Sequence, residues 1–410
     1  MTSLASYERD LGLPARAGQA DLVLPDAGEL LERFGAVLRG LLGAPPCGAE
    51  LLHARWKPGV AVAGSYLVHA EDGAQVHVSL KRHRGLKAEA QALGGPDATA
   101  AWSSDVAGEL LFTPEADREL PGLAVALGGG GLRRLARAVR ESGCLGDLQV
   151  RKRASSMELL RYKPERRAVL RVDLKTRQGE GLRDQRRLAL RVLAPARAAA
   201  LAADRAALFA ESRPGFLPEL AFFDARLGWL AEPWLPGVVD EHRSRSSAQA
   251  VGQLLRRLHA LPLASGLAPT LRPLDLGPLA VAPELHERGR ALAAAWPPEP
   301  ASRALVLGHG DLHADQVLWG ADAPSALLDL DELGVRPAEE DLASWIADEL
   351  AEQPDLGLAA ASRDLLAGYG GLDLERLVAP VGRQLLRLAA AAPRRLERAA
   401  VARAEALVRT

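Results

Sequence analysis

His309-Gly310-Asp311-Leu312-His313-Ala314-Asp315-Gln316 is the stretch that decides how the chain is read. Directly after it, Val317-Leu318-Trp319 and Ala326-Leu327-Leu328-Asp329-Leu330 are short β-like runs joined by the turn Gly320-Ala321-Asp322-Ala323-Pro324-Ser325. This pattern predicts a small hairpin. Its two strands return the chain to its starting point, so Asp329 is expected beside Asp311 and Gln316. The surroundings are helical in pattern. Val251, Leu254, Leu255 and Leu258 recur at helical spacing within 248–260, 341–350 reads similarly, and so does 377–407, where Pro380 and Pro393 are expected to break or kink the helix.

Further upstream the pattern turns to strands. Residues 61–68 and 75–80 flank the turn Ala70-Glu71-Asp72-Gly73, and residues 168–174 and 188–192 flank a loop rich in Gly, Arg and Gln, so two hairpins are predicted. Each runs into helical sequence, 85–93 after the first and 196–211 after the second. Arg55-Trp56-Lys57-Pro58-Gly59 opens one and Arg161-Tyr162-Lys163-Pro164-Glu165 opens the other. The match reads either as an internal duplication or as chance in an Arg- and Pro-rich chain. The four glycines 128–131 lack the Gly-Lys-Ser/Thr ending of a phosphate loop and read as a plain connection.

Composition narrows the classes. A chain of 410 residues, 48% apolar and 25% charged, is long enough for two or three packed domains. Its formal charge of −1 removes the global electrostatic case for a nucleic-acid or membrane-surface partner. The N-terminus lacks the pattern of a secretory signal, and no apolar run approaches the roughly 18 residues of a membrane span. Two cysteines, Cys47 and Cys144, exclude a disulfide scaffold or a four-cysteine zinc site; they read as small buried hydrophobes and fit the reducing cytoplasm. Of the 51 basic residues only six are lysine, so a mechanism that demands one has few candidates.

Beside a kinase catalytic loop, His-Arg-Asp followed five residues later by Asn, the 309–316 stretch keeps His309 and Asp311, has Gly310 for Arg and Gln316 for Asn, and preserves the spacing. Phosphoryl transfer needs a carboxylate to orient the attacking hydroxyl, an oxygen ligand for Mg²⁺, and a second carboxylate joining metal to phosphates. Asp311, Gln316 and Asp329 match those needs. A zinc or di-metal hydrolase built on His309, Asp311 and His313 is a rival, but it needs further ligands and the remaining seven histidines are scattered. His309 reads better as a hydrogen-bonded loop anchor with His313 packing nearby. Asp341, ahead of Leu342-Ala343, reads as a helix-start carboxylate that caps amides and holds the catalytic loop. Asp331 stays open between assisting the metal and simple exposure.

Taken together, His309 to His313, Leu328-Asp329-Leu330-Asp331 and Asp341-Leu342-Ala343 resemble the aminoglycoside phosphotransferase and choline kinase family of small-molecule kinases. Residues 229–237 resemble that family's hinge and 252–259 its first large C-lobe helix; the likeness covers roughly residues 155 to 400. Gln316 is similar to the maltokinase and glucosamine-kinase branch, where an N-terminal cap precedes the kinase lobes. The resemblance implies an α+β, protein-kinase-like bilobal fold with a small β-rich N-lobe and a large helical C-lobe. Residues 1–150 are then expected to form an extra N-terminal α+β cap-like domain, a partial repeat of the N-lobe if the duplication holds, with 151–237 the N-lobe and hinge and 238–410 the C-lobe.

That resemblance also implies an ATP- and Mg²⁺-dependent kinase acting on a hydroxyl of a sugar, aminoglycoside or amino-alcohol-like acceptor. Asp311 is then catalytic, Gln316 and Asp329 are metal ligands, and His309, His313 and Asp341 support the loop. Glu232, Trp234 and Leu235 of the hinge are expected at the nucleotide. Where the family has a strand lysine, this sequence has Leu190-Arg191-Val192, with Lys163 or Lys81 as compensating cations and Asp204 or Glu211 as the helix carboxylate. Residues 151–197 carry 15 basic against five acidic side chains, a natural counter-charge for a triphosphate. Arg191 also leaves a second class open, a catalytically weak nucleotide-binding regulator, which the intact Asp311, Gln316, Asp329 trio opposes. The partner expected is a small acceptor, not nucleic acid or membrane; the sequence leaves the oligomeric state open.

Overall fold

The computed structural model describes residues 24–57, 61–83, 101–103, 109–143, 149–178, 182–211, 214–239, 245–263, 270, 274–276, 283–296, 304–321, 323–353 and 355–391. The chain divides into two compact units, Met1–Ala202 with Leu220–Trp234, and Ala203–Glu219 with Leu235–Thr410. The boundary expected near 150 runs between two sheets of the first unit, and the three-part division of the chain remains a proposal. The helix expected at 85–93, Cys144, and Pro393 with the end of the 377–407 helix lie outside the described residues.

In the first unit, α1 (Ala27–Leu42) starts where the Asp26 side chain accepts the Glu29 N–H and stops at left-handed Gly43. Strands β1 (Pro46–Lys57), β2 (Ala61–Ala70), β3 (Gln75–His83), β4 (Ala101–Ser103) and β5 (Glu109–Phe112) make an antiparallel sheet in the order β1-β2-β3-β5-β4. The apolar stripe Leu30, Phe34 and Leu38 of α1 packs on Val62, Tyr66, Val78 and Leu80 of this sheet. Each such side chain stabilises the fold by about 1.5–3 kcal/mol when fully buried. Cys47, expected inside, is exposed on edge strand β1. Two short helices follow, α2 (Pro121–Leu127) and α3 (Gly131–Glu141), joined through the four glycines.

A second antiparallel sheet is built from β6 (Gln149–Val150), β7 (Ser156–Lys163), β8 (Arg167–Gln178), β9 (Leu182–Leu193), β10 (Phe222–Asp224) and β11 (Trp229–Pro233). Its order is β10-β11-β9-β8-β6, and β7 also pairs with β8. Leu170, Val172, Leu190, Val192 and Trp229 pack with Leu123 of α2 and Leu135 and Val139 of α3. The loop expected between 174 and 188 is mostly strand, leaving 179–181 between β8 and β9. Cross-strand pairs explain the extension: Asp173 accepts from Arg187 Nε and from Gln185 Nε2, each at 2.8 Å. Helix α4 (Pro195–Glu211) begins in this unit and ends in the other.

The second unit holds β12 (Val238–Val239), α5 (Arg245–His259), α6 (Pro283–Ala295), β13 (Leu305–Gly308), β14 (Val317–Trp319), β15 (Pro324–Leu327), β16 (Gly334–Pro337), α7 (Ala338–Glu352), α8 (Leu358–Tyr369) and α9 (Glu375–Ala391). Its core joins Val251, Leu254, Leu255 and Leu258 of α5 with Leu342, Trp345 and Ile346 of α7 and Leu365 of α8. Pro380, expected to break or kink the last helix, does not break it: it lies inside α9. Burial of Leu377, Val381, Leu385 and Leu386 outweighs the backbone hydrogen bond that proline removes. The fold is thus α+β, with β-rich N-terminal sheets and a helical C-terminal part. No helix among the described residues is long and apolar enough to cross a membrane.

Candidate active site

Two ladders staple the 309–316 stretch to the 328–333 stretch. Strand β13 pairs antiparallel with β16, Gly308 opposite Gly334, which sets His309 beside Leu333 at one end. In the hairpin β14–β15, Val317 stands opposite Leu327, and the Leu328 N–H donates to the Gln316 carbonyl at 2.8 Å. Midway, His309 Nε2 donates to the Leu328 carbonyl at 2.8 Å. Asp311 and Asp329 therefore issue from two neighbouring runs of chain fastened at both ends. His309 is fully buried, Gln316 is buried, and Asp311, His313 and Asp329 are half-buried. Asp329 adopts left-handed φ 51°, ψ 56°, a conformation uncommon for non-glycine residues that clusters at functional sites.

His313 sits among carboxylates. Burial lowers its pKa, with His309 acting the same way, while Asp311, Asp348 and Asp329 pull in the other direction. Its Nδ1 contacts the Asp315 carboxylate and its Nε2 accepts from the Gln316 amide at 3.1 Å. With Nε2 of Gln316 turned to His313, its Oε1 is the atom left for a cation. An amide oxygen and a carboxylate, Gln316 with Asp329, are hard oxygen donors of the kind Mg²⁺ takes. Both ring nitrogens of His309 face backbone, Nε2 the Leu328 carbonyl and Nδ1 the Asp311 N–H at 3.4 Å, so this ring is turned away from any zinc site.

Asp341 corrects one expectation. Helix α7 starts three residues earlier, with Pro337 in the capping position, so Asp341 lies in its first turn. Its carboxylate instead receives the N–H of His309 at 2.6 Å and of Gly310 at 2.7 Å, and His259 Nε2 at 3.0 Å. Burial alone would raise this carboxyl; the His259 hydrogen bond and the charges of His259, His309 and Arg336 outweigh it and bring the pKa to about 2. The other ring nitrogen of His259, Nδ1, is hydrogen-bonded with the Tyr369 hydroxyl at 2.9 Å.

Sequence reasoning passed over His259, Tyr369 and Arg336. The signal for His259 was present: four residues after Leu255, it falls on the apolar face of α5. Arg336 is 1% exposed, donates to the Glu332 carbonyl, and reaches Glu340 Oε2 at 3.4 Å. A Cβ at Gly310, where φ is +88°, would lie 2.5 Å from the Arg336 guanidinium carbon. The space of the missing loop arginine is thus filled from β16.

In the first unit, Arg191 and Glu232 are both buried, Nη1 and Oε1 3.9 Å apart on adjoining strands β9 and β11. The carboxylate beside Arg191 comes from the hinge strand; Asp204 is exposed, and the Glu211 side chain lies outside the described residues. Lys163 ends β7, half-buried, opposite Arg167. Trp234 donates its N–H to the Arg187 carbonyl at 2.9 Å and carries the Arg187 guanidinium 5.7 Å above its ring. Leu235, in the second unit, is half-buried.

Residues 148–377 match the phosphotransferase enzyme family. The chain belongs to that family. It is a phosphotransferase by family. Among solved structures, a macrolide 2'-phosphotransferase from Brachybacterium faecium is 21% identical over 66% of this chain and 97% of its own, with a TM-score of 0.42. A choline kinase from Streptococcus pneumoniae is 11% identical over 68% and 98%, TM-score 0.44. An aminoglycoside phosphotransferase from Streptomyces rimosus is 20% identical over 62% and 98%, TM-score 0.39. No curated protein matches the chain. The family match begins at 148, so the first β-sheet lies outside it.

Proposed function

We propose that this phosphotransferase moves the γ-phosphoryl group of ATP to a hydroxyl of a small sugar, aminoglycoside or amino-alcohol-like acceptor, with Mg²⁺. The observation that carries this reading is the doubly stapled pair of segments presenting Asp311, Gln316 and Asp329, with Asp341 holding the loop amides. Asp311 orients the acceptor hydroxyl and accepts its proton as the new O–P bond forms and the bond from the γ-phosphorus to the bridging oxygen of ADP breaks. Gln316 Oε1 and the Asp329 carboxylate would hold Mg²⁺, which when bound neutralises charge on the phosphates. Arg191 grips phosphate oxygens, and the hinge residues Glu232, Trp234 and Leu235 border the nucleotide; Lys163 is a further cation for it. The reading places the protein in the cytoplasm, without a nucleic-acid or membrane partner.

Asp311→Asn is expected to abolish turnover while MgATP still binds; Asp329→Ala weakens MgATP binding as well. Turnover measured over a panel of hydroxyl acceptors, beside calorimetric MgATP titration, checks both. Asp311→Asn at near wild-type turnover would overturn the assignment. Arginine in place of the strand lysine favours the second reading, a weak nucleotide-binding regulator, for which wild type would bind MgATP and turn over none of the panel.

A further inference from the structure

The two sheets of the first unit repeat one another strand for strand. The first runs β1-β2-β3-β5-β4, and the second, leaving aside β6, runs β7-β8-β9-β11-β10. Register repeats as well as order. Lys57 stands opposite Ala61 and Lys163 opposite Arg167, at the matching motifs Arg-Trp-Lys-Pro-Gly and Arg-Tyr-Lys-Pro-Glu. Two residues further on, Ala63 pairs with Lys81 where Val169 pairs with Arg191. On their other side Lys81 faces Leu110 and Arg191 faces Leu230. Each basic residue follows a fully buried leucine, Leu80 or Leu190, so both point to the face away from the helices that cover those leucines. Lys81 therefore occupies in the first copy the position that Arg191 has in the second.

What Lys81 holds is a carboxylate. It forms an ion pair with Glu165, in the turn between β7 and β8 of the second copy. That turn is held a second time by the first copy. Asp117, 3% exposed and five residues past β5, accepts the Glu165 N–H at 2.8 Å and the Tyr162 hydroxyl at 2.7 Å. Glu165 is one of two non-glycine residues with positive φ among the described residues, at +58°, where the matching motif has Gly59. A glutamate kept in a conformation that favours glycine, with backbone and side chain each bound, marks a turn whose shape is fixed from outside.

We infer that the N-terminal sheet is a duplicated nucleotide-lobe sheet, and that its Lys81, with Asp117, clamps the β7–β8 turn of the working copy. In kinases the corresponding first hairpin covers the phosphates and the third-strand cation grips them. Here the duplicate's cation grips the working copy's hairpin turn, the Glu165 carboxylate standing where a phosphate would stand. Lys81, Asp117 and Glu165 are thus positioning residues for the nucleotide. This rests on the proposed function, and the experiment separates the two.

Calorimetric titration with MgATP, kcat measurement and thermal melting are run on wild type, Lys81→Met, Lys81→Arg and Glu165→Gly. Glu165→Gly gives the left-handed position its favoured residue, so it tests the clamp without backbone strain. Lys81→Met and Glu165→Gly are expected to weaken MgATP binding by about tenfold, the size of one charge-assisted hydrogen bond. At saturating MgATP kcat stays within twofold, and Lys81→Arg restores affinity. Hydrogen exchange at the Lys163, Glu165, Arg166 and Arg167 amides should quicken in Lys81→Met without nucleotide. Folded variants binding MgATP as tightly as wild type would overturn the clamp while leaving the proposed function standing. Wild type that binds no MgATP would overturn the proposed function, and the clamp with it.

Discussion

Arg191 lies on β9, at the position where the resemblance to small-molecule kinases leads one to expect a lysine. Its guanidinium is buried on β9, with the Glu232 carboxylate of β11 at 3.9 Å, a long ion pair. A guanidinium offers a planar fork, an ammonium a compact charge on a flexible stem, so the two are not equivalent. Arg191→Ala is expected to cost about 1.5–3 kcal/mol of MgATP binding, as loss of a charge-assisted contact does. Arg191→Lys separates two designs: it is tolerated where the pocket keeps the family's shape and harmful where the site has been rebuilt around the fork. Unchanged MgATP affinity and turnover in Arg191→Ala would place the phosphates elsewhere, with Lys163 next to test.

At the scale of elements, the catalytic loop depends on how closely two helices cross. A Cβ on Gly252 of α5 would lie 2.2 Å from the Leu365 carbonyl of α8, and one on Gly368 would lie 1.9 Å from the Gln249 carbonyl. This contact brings Tyr369 to His259, and so reaches Asp341 and the amides of His309 and Gly310. Gly252→Ala should destabilise the protein by about 1–3 kcal/mol through overpacking. Tyr369→Phe, which removes a single hydroxyl, costs about 1 kcal/mol. Denaturant unfolding of both variants checks the order; equal losses would show that the closeness of the crossing adds nothing beyond the Tyr369 hydroxyl. The sequence made the loop and its hairpin legible because a local spacing and a local turn write them. Strands β13 and β16 were not legible, being four residues each and paired across nearly thirty residues of chain. Arg336 was hidden for another reason: one buried arginine among so many has no mark of its own. The repeat of the first unit lay half-visible in two five-residue motifs, and only the strand register joined Lys81 to Arg191.

Across the whole molecule, each unit carries buried groups whose titration makes it sensitive to acid. In the first, burial and then the charges of Lys163, Arg166, Arg161 and Arg55 lower His53 from 6.5 to about 4, and burial lowers His77. A depressed base binds its proton in the unfolded chain first, so stability is whole above pH 6.5 and falls as the pH drops toward 4. Asp117 opposes this at the lower end, since burial raises its carboxyl and the folded state then holds the extra proton. In the second unit Asp341, lowered from 3.8 to about 2, contributes stability that is whole above about 3.8 and is lost as the pH falls toward 2. Calorimetric melts from pH 7.5 to 3 should therefore show the first unit weakening between pH 6.5 and 4, with His313, also lowered by burial, weakening the second from 6.5 downward and Asp341 adding to this only below about 3.8. His53→Gln removes a titrating group without touching the second unit. It is expected to flatten the decline between pH 6.5 and 4 and leave the lower window unchanged. A His53→Gln protein with the wild-type slope across that range would show that the buried His53 does not set the acid limit of the first unit.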